Sequence, residues 1–88
     1  MTAPLDLIAA ERARQVEKFG HSPEADRALP IRHLPLEAQR YLTQAIEDLH
    51  FRREGWEQHA IRKLAQAGAL ICAAIDRIEA EQQPGDPI

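Results

Sequence analysis

The chain has 88 residues, four of them aromatic, and a formal net charge of −3. That length makes one small domain, and such a domain buries only about two-thirds of its unfolded surface. Mixed charge signs argue against a nucleic-acid binder held by broad backbone electrostatics, and the single cysteine, Cys72, excludes an internal disulfide. No apolar run approaches the ~18 residues of a membrane span, and no basic segment leads into an apolar one as in a signal peptide. The compartment expected from this is the cytoplasm.

Thr2 and Pro4 read as a helix start, with Asp6 near the positive end of the dipole. Leu5, Ile8, Ala9, Ala13, Val16 and Phe19 recur at helical spacing, and Gly20 followed by Pro23 reads as a stop. The first helix is therefore expected over 3–19. Residues 20–33 carry Pro23 and Pro30 without periodicity and read as a loop. Ser22 to Asp26 has the residues for one short turn, with Ser22 as cap.

Pro35 reads as the opening of a second helix, with the apolar stripe Ala38, Tyr41, Leu42, Ala45, Ile46 and Leu49. Arg52 and Arg53 suit its last turn, and Gly55 reads as its end. A third helix is expected over 56–82. Ile61, Leu64, Gly68, Ile71, Ile75 and Ile78 alternate in steps of three and four, the spacing of an a/d seam. Alanines flank this seam, and Gln66 alone interrupts the apolar character between Leu64 and Ile75. Ala65, Ala69 and Ala73 form a small-residue stripe that would let another backbone approach, so they are the expected oligomer interface. The fold class is all-α, a three-helix antiparallel bundle that self-associates. Residues 1–82 form one domain, and 83–88 read as a flexible tail.

Candidate chemistry concentrates in Glu11 to Asp26. Arg12 lies at the edge of the apolar stripe. It is either a stem that covers the core or a partly buried fork for carboxylate or phosphate. Glu11 and Gln15 share a face, as do Arg14 and Lys18. His21 follows the helix stop with Glu24 and Asp26 close by, a spacing too unspecific to be a metal motif. His33, His50 and His59 stand in separate elements. No metalloprotease motif, cysteine pair or phosphate-cradling glycine loop is present. Cys72 reads as inert packing. Phe51 and Trp56 flank the second turn and read as a plug over one end of the bundle, or as an aromatic anchor for a partner.

Two segments resemble a group of small uncharacterised helical proteins of phages and prophages. Their pattern E-R-x-R-Q-x-x-x-E-G-W-x-P-E-H-D aligns without gaps on Glu11 to Asp26. Their K-A-G-A-L-I-type segment aligns within Ile61 to Arg77. This chain has His21, Ala25 and Ala74 where that pattern has tryptophan, histidine and an acid. The resemblance carries no established activity; with the small size and the lack of a recognisable catalytic set, it leads to the expectation of a non-enzymatic binding protein, such as an antagonist of host defence. It would bind a host protein or a phosphate-bearing ligand through Arg12, Arg14, Gln15, His21 and Asp26, without a metal or other cofactor. Glu11-Arg12 and His21-Ser22-Pro23 are also similar to part of the MazG-type nucleotide pyrophosphohydrolases. That likeness implies magnesium held by acid pairs on facing helices, for which Glu37, Glu47, Asp48, Asp76 and Glu79 are the available groups. A structural oligomer without ligand is the third expectation.

Overall fold

The computed structural model describes residues 3–19 and 30–82. Helix α1 spans Pro4–Phe19, α2 spans His33–Phe51 and α3 spans Trp56–Gln82. The molecule is an all-α three-helix bundle, with no strand among the described residues. This is the fold class expected from the periodicities. The proposed turn at Ser22 to Asp26 and the tail 83–88 lie outside the described residues.

The helix ends follow local chemistry. The Ala3 carbonyl accepts from the backbone amides of Asp6 and Leu7, at 3.0 and 3.2 Å, and Pro4 takes the first helical position. Helix α2 starts at His33, two residues before Pro35, after a turn closed by His33 N–H to the Pro30 carbonyl at 2.9 Å. It also ends earlier than Gly55. Arg52 adopts the left-handed conformation (φ 48°, ψ 48°) and its amide donates to the Asp48 carbonyl at 2.8 Å. Gly55, at φ +78°, serves the next helix instead, because its carbonyl accepts the His59 amide at 3.3 Å.

Helices α2 and α3 form an antiparallel hairpin. Asp48 pairs with His59, the Lys63 ammonium lies over the Tyr41 ring, and Leu34 and Ala38 pack with Leu70, Ala73 and Ala74. Residue numbers thus fall along α2 as they rise along α3. The seam on α2 is Leu34, Ala38, Tyr41, Ala45 and Asp48, again in steps of four and three. In an antiparallel pair, residues one step past the seam on either helix fall on the same flank. Leu42, Ile46 and Leu49 of α2 therefore share a flank with Leu64, Ile71 and Ile78 of α3. Glu37, one step before Ala38, falls on the opposite flank.

The core is built from small side chains. Among the described residues the buried apolar set is Leu34, Leu70 and seven alanines, and Leu34 is the largest side chain fully enclosed. Ala60, Ala67, Ala69, Ala73 and Ala74 are the buried alanines of α3. The expected a/d seam of α3 is not the interior. Ile61, Leu64, Ile71, Ile75 and Ile78 are all exposed. Short alanine side chains let α2 approach α3 closely, and that close approach selects the alanine faces as the contact.

Helix α1 packs on α3 through Ile8 of the expected stripe together with a neighbouring polar face, and the rest of the described stripe does not take part. Leu5, Ala9, Ala13 and Val16 are exposed, whereas Gln15 is buried and Ile8, Glu11, Arg12 and Arg14 are half-buried. Gly68 explains the placement. The Ile8 side chain occupies the space that a Cβ on Gly68 would need, with Ile8 Cδ1 at 2.9 Å from that point. Two turns nearer its C-terminus, α1 is fixed by Gln15, whose Nε2 donates to the Gln66 carbonyl at 3.4 Å. Seven residues of α1 rise about 10 Å, while Gly68 and Gln66 are separated by about 3 Å along α3. Helix α1 therefore crosses α3 steeply.

Candidate functional site

The crossing of α1 and the Glu37 flank of the hairpin enclose a cleft of about 250 Å³. It is lined by Glu11, Arg14 and Gln15 from α1, Glu37 and Tyr41 from α2, and Lys63, Gln66 and Leu70 from α3. All three helices contribute, so the cleft exists only in the assembled fold.

Its polar groups are unevenly satisfied. Arg14 lies 3.4 Å from Glu11 in an ion pair one helical turn long, with Glu11 the more buried partner. Glu37 accepts from Arg40 at 3.1 Å. Lys63 sits 5.2 Å from the centre of the Tyr41 ring, a cation–π arrangement that holds the ammonium at the cleft. Glu11 Oε1 is nevertheless buried without a hydrogen bond, and the two glutamines share that condition. Gln15 is 5 % exposed and Gln66 is 7 % exposed, and neither Oε1 has a hydrogen-bond partner. A buried amide oxygen without a donor costs about 1–3 kcal/mol. Arg14, Tyr41 and Lys63 bring donors to the cleft, yet none of them reaches these two oxygens.

The residues singled out in the sequence divide as follows. Arg14 and Gln15 line the cleft, and Arg12 is half-buried outside it. His21 and Asp26 lie outside the described residues. Ala69 and Ala73, expected to meet another copy, are buried inside the chain at 0 and 1 % exposure, and Ala65 is half-buried. The small-residue stripe is already covered by the chain's own packing, so it offers no free face. Cys72, read as buried packing, is exposed. Phe51 is exposed, with Arg53 5.0 Å from its ring centre, and Trp56 is half-buried, with Arg52 at 5.4 Å. Arginines cover these rings and the bundle end is not plugged by Phe51.

Tyr41, Lys63, Gln66 and Leu70 are the cleft residues that sequence reasoning did not select, and Glu37 was considered only as an acid for magnesium. Gln66 had a signal, since it is the lone polar residue in the apolar stretch of α3. Among the acids considered for magnesium, Asp48 is paired with His59, and Asp76 and Glu79 are exposed. No cluster of three or more histidines, cysteines and acids suited to a metal occurs among the described residues. No helix among them is long and apolar enough to cross a membrane.

Comparison with protein-family models, with curated proteins and with solved structures found no match for this chain.

Proposed function

We propose that this chain is a non-enzymatic binding protein whose cleft takes a small phosphate-bearing ligand. The observation that carries the reading is the pair of buried amide oxygens, Gln15 Oε1 and Gln66 Oε1, with no donor in a cleft lined also by cations. Base or sugar N–H and O–H groups would satisfy the glutamines. Lys63, with Arg14 beside it, would meet the phosphate. The resemblance of Glu11 to Asp26 to phage-borne proteins supports a role as an antagonist of host defence, which would act by sequestering such a ligand.

The test is a thermal-shift screen of nucleotides and sugar phosphates, followed by calorimetry. A true ligand at about a hundred times its Kd raises Tm by roughly 15 °C for a domain of this size. Lys63→Ala weakens that binding at least tenfold. If no phosphate-bearing compound shifts Tm, the cleft holds only solvent and the chain is a structural protein.

A second reading is favoured by one observation, the presence of Glu11 and Glu37 from two helices at the same cleft. In it the chain is a magnesium-dependent nucleotide hydrolase of MazG type. Pyrophosphate release from nucleoside triphosphates with magnesium, lost in Glu37→Gln, would support it over simple binding.

A further inference from the structure

On the flank of the hairpin opposite the cleft, the described residues leave an aliphatic row half-exposed, covered at Gly68 by Ile8 of α1. Ile61, Leu64, Ile71, Ile75 and Ile78 run along α3 in steps of three or seven and four, interrupted only by Gly68, and no charged residue falls among these positions. Leu42, Ile46 and Leu49 of α2 lie beside them on the same flank. These eight side chains are each 42 to 57 % exposed.

We propose that this face is the homodimer interface and that its occupant is a second copy of the same chain. Half-exposed aliphatics in this number present about 700 Å² of apolar surface in all, on both sides of the Ile8 contact at Gly68, against the ~300–600 Å² of the largest patch on a typical monomer. That area is close to the ~800 Å² that each partner gives to a standard interface. The heptad spacing supplies the shape. Knobs at Ile71 and Ile75 on one α3 fit holes between the same residues of another, which a two-fold pairing satisfies on both sides at once. The lack of charge removes the repulsion that two identical faces would otherwise meet.

The interior of the chain points to the same occupant. Among the described residues the buried apolar set is alanine apart from two leucines, while Ile31, Ile46, Ile61, Ile71, Ile75 and Ile78 are exposed and Ile8 is half-buried. A core of that kind encloses little apolar surface, and domains of this length commonly gain the missing burial by association. Pairing through α2 and α3 leaves the cleft open, since the cleft lies on the other flank.

Light scattering with size-exclusion chromatography tests the proposal on the full chain. The expected mass is twice 9.9 kDa at micromolar concentration. A mass of 9.9 kDa at every concentration up to millimolar overturns it. Ile71→Glu combined with Ile75→Glu should raise the dimer Kd at least a hundredfold while circular dichroism remains helical. Should that variant fail to fold, Leu42→Lys on α2 provides the same reading from the other helix. A control, Lys63→Ala in the cleft, should leave the dimer intact. A dimer that survives both interface changes, or that dissociates with the control alone, places the contact elsewhere and overturns the proposal.

Discussion

Gln66 is the single polar side chain in the stretch of α3 from Leu64 to Ile75, and its Oε1 is buried without a donor. A leucine there would fill similar volume without the unpaired acceptor. Gln66→Leu is expected to raise unfolding free energy by about 1–2 kcal/mol in urea titrations, and to abolish ligand binding in the cleft. A loss of stability instead would show that the glutamine is satisfied within the fold and would remove the reason to see a site. Gly55 gives a second test at this scale. Its φ of +78° suits glycine, and nothing lies within 4 Å of a Cβ placed there. Gly55→Ala should therefore cost about 1–2 kcal/mol through backbone strain alone, measurable by thermal unfolding, with no change in fold.

Helix α1 is held to α3 by the entry of Ile8 over Gly68 and by the Gln15 hydrogen bond to the Gln66 carbonyl. Valine at position 68 would force Ile8 away and overpack the crossing. Gly68→Val is expected to cost about 2 kcal/mol. Hydrogen exchange should then rise in α1 before it rises in α2 or α3. Uniform loss of protection across all three helices would contradict this account of the docking. The same contact explains what the sequence hides. The extents of α1 and α3 follow from Pro4, Phe19-Gly20 and the apolar repeat, and they match the observed helices closely. The contact faces do not follow. Periodicity places Ile8 in one stripe with Leu5, Ala9 and Val16, but Gly68 is what selects Ile8 from that stripe for docking, and a missing side chain gives no periodic signal. The end of α2 was hidden for a related reason, since Arg52 adopts a conformation that sequence assigns to a glycine such as Gly55.

At the scale of the whole molecule, the α2–α3 hairpin separates two faces. One carries the polar cleft with Glu37, Lys63 and Gln66, and the other carries the exposed aliphatic row. Part of the cleft was legible, through Arg14 and Gln15 in the charged run of α1. Tyr41 and Lys63 were not, and Glu37 was seen only as an acid for magnesium, because α1 crosses α3 steeply and brings together positions that no linear spacing relates. The isoleucine repeat was legible as a seam, but sequence alone does not say whether a seam closes within one chain or between two. The alanines at 60, 67, 73 and 74 take the internal contact, and this turns the seam outward. The most direct measurement is an isotope-filtered NOE experiment on a mixture of labelled and unlabelled chains, read at the isoleucine methyls. The account predicts intermolecular NOEs from Ile71 and Ile75 to residues of the same row and none to Gln15 or Lys63. An absence of intermolecular NOEs at Ile71 and Ile75, or NOEs centred on the cleft, would contradict it.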